Sequence, residues 1–289
     1  MISKGIILAG GVGSRVGPST KAISKQLIPL ADKPIIFYSL SILMLLNIRN
    51  ILIIVKKDDY SSFKRLLGNG KNYGINIKFA IQNEPRGLPD AFIIGKKFIK
   101  NSNVALILGD NFFHGQGLIE LLNKVIENFN SGANIFSYNV KNPSAYGVIE
   151  QTDKGIKIVE KPKKTKSKKA ITGLYFFDKN VSKLSSRLKK SKRGELEIID
   201  LLKLYLKENK LLISDLGRGS AWLDTGTSKD ILKAGNYVEI IEERQSQKIA
   251  CLEEIAYKKK WINKKSVYSS IDYYGKSEYS DYLKEMLND

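Results

Sequence analysis

The sequence predicts an α/β protein: a doubly wound, mostly parallel sheet with a small β insertion and helices at its C-terminal end. Three observations predict it. Apolar runs of strand length alternate with stretches of helical length through the first half of the chain. One run, NILIIV at residues 50–55, is apolar on both faces after its asparagine, as a strand covered by helices on both sides requires. The first run opens directly into a glycine-rich loop, and open parallel sheets bind their ligands at the carboxyl ends of strands.

Taken in order, residues 5–8 form the first strand, and the chain then enters AGGVGSRVGPSTKAISKQ. Lys33-Pro34 opens a helix whose apolar face is residues 35–46, proline being suited to a first turn. After the strand at 50–55, Asp58 or Asp59 caps a helix that ends near Gly68. Residues 75–81 alternate as a strand, Pro89 starts a helix through residue 99, and the strand 104–108 leads into Gly109-Asp110. A helix at 117–130 and a strand at 133–140 continue the alternation, which argues for right-handed crossovers. From Tyr146 the pattern loosens. Short strands at 147–150, 156–160 and 171–177 read as an insertion over the edge of the ligand crevice. Helices at 181–188 and 196–207, strands at 211–216 and 221–223, a long helix at 228–245 and short helices over 252–287 complete the chain. Residues 1–240 are thus expected to form the main domain, with the insertion at roughly 141–220, and residues 241–289 a helical extension.

Composition narrows the function. With 289 residues, 43% of them hydrophobic, the chain can bury a full core. The longest apolar stretch, 35–46, is interrupted by Ser39 and Ser41 and is too short to span a bilayer, so no membrane role is expected. The sequence enters a strand without a charged leader, which predicts no targeting segment. Cys251 is the one cysteine, so no internal disulfide forms, and a reducing cytoplasm fits. His114 is the one histidine, which argues against a His-ligated zinc site or a Ser-His-Asp triad. The formal charge of +19 raises nucleic acid as a partner. However, the lysines cluster at 161–169, 187–193 and 258–265 without interleaved aromatics, and the expectation is solvated surface and no nucleic-acid platform.

The glycine loop carries the chemistry. Five glycines from Gly5 to Gly17 leave backbone N–H groups unpaired and unshielded by Cβ atoms, an anion cradle. Arg15, Lys21 and Lys25 add fixed positive charge. The loop lacks the Gly-Lys-Ser/Thr ending of a Walker motif. It matches G-x-G-x-x-G spacing from Gly11 but has Val16 at the third glycine, and Pro18 and Pro29 oppose an immediate helix. A phosphate-bearing ligand fits the loop.

The wider pattern GxGxRxxPxTxxxxKQ, here Gly11, Gly13, Arg15, Pro18, Thr20, Lys25 and Gln26, resembles the signature of the sugar-phosphate nucleotidyltransferases. LGDN (108–111), YGVIE (146–150), EKP (160–162), TGLYF (172–176), RGELEI (193–198) and AWLDTGT (221–227) follow in order and extend the resemblance over nearly the whole chain. It is strongest to the branch that transfers a thymidylyl group from dTTP to α-D-glucose 1-phosphate. The resemblance implies a Rossmann-like nucleotidyltransferase fold, a homotetramer and a magnesium ion (Mg2+). Asp110 and Asp224 each follow an apolar strand and enter a loop, and two such carboxylates suit a hard cation. The implied catalytic residues are Arg15 and Lys25 on the triphosphate, with Arg15 stabilising the leaving pyrophosphate, and Lys161 on the sugar phosphate. Nucleotide contacts are expected from Leu8, Gly10, Gly11, Gly13, Ser14, Gln26, Gln82, Gly87, Leu88 and Asp110. Gln82 offers one acceptor and two donors to a base edge, Gly87 permits close approach, and Leu8 and Leu88 give apolar walls. Asn111, Tyr146, Gly147, Glu160 and Ile171 are expected on the sugar side. Ser14 stands where threonine is usual, while Arg86 and Pro89-Asp90 replace less charged or smaller residues. These departures bear on nucleotide discrimination rather than on the reaction. A uridylyl- or other nucleotidyltransferase is the alternative within enzymes.

Overall fold

The computed structural model describes residues 2–11, 13–153 and 155–288; Val12, inside the glycine loop, lies outside them. The chain runs through strands β1 (Ile2–Ala9), β2 (Pro29–Leu30), β3 (Lys33–Pro34), β4 (Asn50–Val55), β5 (Asn76–Ile81), β6 (Asn103–Leu108), β7 (Asn111–Gly115) and β8 (Ala133–Asn139). It continues with β9 (Gly147–Thr152), β10 (Gly155–Glu160), β11 (Lys169–Phe177), β12 (Leu211–Asp215) and β13 (Ser220–Asp224). The helices are α1 (Ser19–Ala22), α2 (Ile35–Leu45), α3 (Tyr60–Leu67), α4 (Asp90–Ile94), α5 (Lys96–Ile99) and α6 (Leu118–Glu127). After them come α7 (Val181–Ser185), α8 (Ile198–Lys207), α9 (Ser228–Gln245), α10 (Leu252–Lys258), α11 (Lys264–Tyr274) and α12 (Glu278–Met286).

Nine strands form one mixed sheet in the order β10-β9-β11-β6-β1-β4-β5, with β8 beside β11 and β12 beside β8. The β6-β1-β4-β5 half is parallel, and β11 joins it antiparallel to β6. Alternation along β1 divides the core. Ile7 packs into one hydrophobic cluster with α2 and α6, and Ile6 into a second, on the other face, with Phe92 and α8. That two-sided burial is the reason NILIIV is apolar throughout. The strands expected to form an insertion, β9 to β11, extend the same sheet, so the crevice has a rigid wall on that side.

Three local expectations differ from the structure. The helix expected from Pro89 to residue 99 is two short ones, α4 and α5, parted at Gly95. There the backbone presses on the sheet: a Cβ at Gly95 would stand 3.1 Å from Ile6 Cδ1. Asp59 does occupy the N-cap of α3, but its side chain makes no capping hydrogen bond. Residues 111–115, not foreseen as a strand, form β7, which pairs antiparallel with β13 in a separate two-stranded ribbon.

Candidate active site

The glycine loop leaves the carboxyl end of β1 and is closed by its own sequence. Gly13 turns with φ 66°, and its carbonyl accepts from Val16 N–H at 2.9 Å. Thr20 Oγ1 donates toward the carbonyls of Gly13 (2.9 Å) and Gly17 (3.0 Å). A Cβ on Gly13 would meet Thr20 Cγ2 at 2.8 Å, so the GxG and the threonine of the signature are one fitted unit. Ser14 and Arg15 are exposed at the tip, and space around Gly11 is open. Ser228 Oγ donates to the Val16 carbonyl at 2.6 Å and ties the loop to the start of α9. Arg15 thereby lies over Gly226, its Nη2 3.1 Å from where a Cβ there would stand.

Asp110 and Asp224 come together across the β7–β13 ribbon, whose register pairs Asp224 with Asn111. Thr225 fastens the two ends: its N–H (3.1 Å) and its hydroxyl (2.8 Å) both donate to the Asp110 carbonyl. Burial first, and the facing Asp110 second, push the Asp224 carboxyl above the ordinary carboxylate range, against the Gly226 N–H, Arg15 and Lys25. A carboxyl pair held in mutual repulsion is a place where a divalent cation gains, and two oxygen donors leave room for water and phosphate oxygens. Among the described residues no third His, Cys, Asp or Glu joins them. The donor set fits magnesium.

Lys25, expected on the triphosphate, is buried, and its ammonium pairs with Asp110. Gln26 is buried behind it, its Oε1 accepting from Ser24 Oγ at 2.8 Å and its Cγ 3.2 Å from where a Cβ on Gly109 would stand. Gly109 N–H in turn donates to the Leu8 carbonyl at 3.0 Å. Asn111, expected among the sugar contacts, is 3% exposed and braces the carboxylate of Asp110. Its Nδ2 donates to Asp110 at 3.1 Å, and its Oδ1 accepts from Trp222 Nε1 (2.7 Å) and Gly173 N–H (3.2 Å). Only glycine fits at 173, because a Cβ there would lie 2.4 Å from Asn111 Oδ1.

Glu160 and Lys161 stand at the end of β10, with Gly147 opposite Glu160 in the β9 register. Burial, and secondarily Glu197, push the Glu160 carboxyl up, while Lys161 and Arg193 oppose the shift. Lys161 adopts φ 40°, an uncommon conformation for a residue with a side chain, and its N–H donates to the Tyr146 carbonyl at 3.0 Å. Ile171 is buried against Gly147. Tyr146 packs its ring on Trp222 with centroids 5.1 Å apart, and burial with nearby Asp224 pushes its hydroxyl up to about 12. Arg193 was not singled out by the sequence reading, although the RGELEI motif contains it. It grips Glu197 with two hydrogen bonds (3.1 and 2.7 Å) and reaches Glu160 at 3.5 Å. Leu196 N–H donates to the Arg86 carbonyl at 2.7 Å, and a Cβ on Gly87 (φ 95°) would strike the Leu196 carbonyl at 2.1 Å. The loop of Gly87 and Leu88 is thus anchored to the loop of Arg193. Gln82 lies beside Gly10, 5% exposed, and donates to Asp90 Oδ2 at 2.9 Å.

The site therefore joins the glycine loop, a carboxylate pair and a mixed Glu–Lys–Arg cluster. The nucleotidyl transferase family model matches residues 4–240. A glucose-1-phosphate thymidylyltransferase of Neisseria meningitidis is 47% identical over 286 residues, covering 98% of this chain and 99% of the relative. One of Mycobacterium tuberculosis is 46% identical, also over 98% and 99%. A solved structure described as a glucose-1-phosphate thymidylyltransferase from Bacillus anthracis, in complex with sucrose, superposes with a TM-score of 0.75 at 34% identity, covering 81% of this chain and 94% of that one. The chain belongs to the nucleotidyl transferase family.

Proposed function

We propose that the protein is a magnesium-assisted thymidylyltransferase that converts dTTP and α-D-glucose 1-phosphate to dTDP-glucose and pyrophosphate. The observation that carries this reading is the meeting of Asp110 and Asp224 beside the arginine-bearing glycine loop, in a chain closely similar to enzymes of that name over nearly its full length.

A phosphate oxygen of glucose 1-phosphate attacks the α-phosphorus of dTTP; the bond to the bridging oxygen breaks, and its electron pair leaves with pyrophosphate. The nucleophile is already ionised at neutral pH, so no general base or organic cofactor is needed. Positioning and charge neutralisation carry the catalysis. Asp110 and Asp224 would hold magnesium, which would supply a hard positive charge for phosphate oxygens. Arg15, exposed at the loop tip over Gly226, neutralises the departing pyrophosphate. Lys25, paired with Asp110, would offer its ammonium to the triphosphate. Lys161 and Arg193 offer charge to the sugar phosphate, and Glu160 and the Gly147 backbone accept and donate to sugar hydroxyls. Gln82 reads the base between Leu8 and Leu88. Homotetrameric assembly is part of this reading: Leu232 and Ile240, 64% and 59% exposed on α9, sit eight residues apart and so share one helix face. Among the described residues no helix is long and apolar enough to cross a membrane, and a cytoplasmic setting is the one we assign.

Pyrophosphate release over a grid of nucleoside triphosphates and sugar 1-phosphates tests the reading. The expected maximum is dTTP with glucose 1-phosphate, abolished by chelation and restored by magnesium. A maximum with another nucleotide or sugar would replace the thymidylyl assignment with the uridylyl or related one.

A further inference from the structure

We propose that Asp90 decides which bases the site accepts, by locking the Gln82 side-chain amide with its NH2 group turned to Asp90 and its oxygen left for the base. The inference rests on the assignment of Gln82 to the base and deepens it.

The two ends of a carboxamide have nearly the same shape, so packing alone does not choose between its orientations; hydrogen-bond partners do. Gln82 and Asp90 are each 5% exposed. An aspartate carboxylate only accepts, so the group that faces it at 2.9 Å is the amide nitrogen. The oxygen is then fixed on the other side, where it lies 2.6 Å from the place a Cβ on Gly10 would occupy. Among the described residues nothing donates to that oxygen. Asp90 is itself well placed to hold the amide: it is the first residue of α4, directly after Pro89, whose φ of −62° sets the entry of the helix. An acid in a first turn also complements the helix dipole. That role alone needs no contact with Gln82, whereas the carboxylate is aimed at it.

The consequence is chemical. Thymine and uracil carry a hydrogen on ring nitrogen N3, and a fixed amide oxygen accepts it. Cytosine has a bare acceptor at N3, and two acceptors then face each other in a buried site, a strong basis for rejection. A flipped amide would reverse the preference. The Gln82–Asp90 pair thus gives nucleotide discrimination a specific device. It separates imide pyrimidines from cytosine and leaves thymine and uracil undistinguished.

The test is a double-substitution cycle, read as kcat/KM for dTTP against dCTP at saturating glucose 1-phosphate. Asp90→Asn frees the amide and should lower the dTTP-over-dCTP preference by about tenfold or more, through a higher KM for dTTP and gained turnover of dCTP, with the KM for glucose 1-phosphate unmoved. Gln82→Glu sets two carboxylates against each other and should also weaken dTTP. In Gln82→Glu/Asp90→Asn the new amide donates to the new carboxylate, whose other oxygen accepts from N3–H, and the dTTP preference should recover. Should Asp90→Asn alone not fold, recovery in the double variant relative to Gln82→Glu still decides. A wild-type preference in Asp90→Asn, or a double variant poorer than both singles, overturns the proposal while leaving Gln82 as base reader. If Gln82→Ala keeps the wild-type KM for dTTP, the base assignment itself falls, and the proposal with it.

Discussion

Asp224 is unfavourable to the fold, and on the proposed mechanism it is necessary to the site. Its carboxyl is raised by burial and by Asp110. A carboxyl raised in the folded state lowers stability once it ionises: the cost begins as pH climbs past the ordinary aspartate value and is complete above the raised one. The metal-free protein bears this cost increasingly as the pH rises. Asp224→Asn removes that cost, so its metal-free Tm should match or exceed the parent's, while turnover falls by roughly 10²–10³-fold, as for the loss of one preorganised electrostatic element. Asp110→Asn should cost a similar factor, and with both carboxylates on the one cation proposed above the double variant should be little worse than the poorer single. Calorimetry without metal and turnover against magnesium concentration check both halves; a lower Tm with intact turnover would make Asp224 a mere cap for the Gly226 N–H. Lys161 makes a second contrast. It and Lys163 lie in one lysine-rich exposed loop, yet only Lys161 has the left-handed backbone and the bond to Tyr146. Lys161→Ala should raise the KM for glucose 1-phosphate and slow transfer, and Lys163→Ala should leave both within about twofold, since solvated charges are worth little. Equal effects would reduce Lys161 to surface charge.

At the level of elements, the sequence reading succeeded where the signal is local. The long helix read at 228–245 is α9 (Ser228–Gln245), and the strand NILIIV announces itself by composition. It did less well where pairing is distant. Residues 111–115 become β7 only because Ser220–Asp224 arrives from more than a hundred residues away to pair with them, and no local pattern reports that partner. Ser228 escaped notice for the same reason: an unremarkable serine in sequence, it bonds Val16 across the crevice. Arg193 was inside a recognised motif but adjoins Glu160 only through the fold. The start of α9 ties the glycine loop to the end of β13 that carries Asp224. Thr227 and Asp230 form a reciprocal capping box, and Ser228 adds the loop tie. Thr227→Ala should lower stability by about 1 kcal/mol. Ser228→Ala should cost little stability, its site being at the surface of the loop, but should raise the KM for dTTP and reduce turnover several-fold, because Arg15 is no longer held over Gly226. Denaturant unfolding and steady-state kinetics on the two variants separate the cap from the tie; a Ser228→Ala enzyme with parental kinetics would show that the loop is positioned by Thr20 alone.

Across the whole molecule, the layered sheet and the crevice at its strand ends were legible because binary patterning and motif order both point to them, while the attachment of the last fifty residues was not. Residues 241–289 read in sequence as a string of short helices, and nothing local says what they cover. They complete the core: Leu252 and Ala256 are fully buried in the same cluster as Ile7, Ile36 and Leu43. Trp261 closes over Gly74, where a Cβ would lie 2.5 Å from its own, and Arg49 and Lys259 sit over its ring at 5.1 and 5.5 Å. Lys259 Nζ also donates to the Leu45 carbonyl at 3.1 Å, satisfying the end of α2. The buried Glu253 accepts from Tyr274 (2.8 Å) and Tyr279 (2.7 Å), and Tyr274 meets Tyr73 of the sheet domain at 3.2 Å. Every residue assigned to the reaction lies before residue 225, so a chain ending at residue 240 keeps the chemistry on paper. It should nonetheless fail. Removing the extension uncovers the apolar face of α2 packed against Leu252 and Ala256, and gives up the hydrogen bonds of the Leu45 carbonyl and the Tyr73 hydroxyl, each worth about 0.5–1.5 kcal/mol, against a total stability of about 5–15. The truncated protein is therefore expected to be insoluble, or to melt at least ~10 °C below the full chain with a broadened transition. Circular dichroism melting of residues 1–240 against residues 1–289, with added dTTP and magnesium in both, makes the comparison. A soluble 1–240 chain with a parental melting curve would mean that the extension is a separable appendage, and its buried contacts with α2 would then carry no share of the fold.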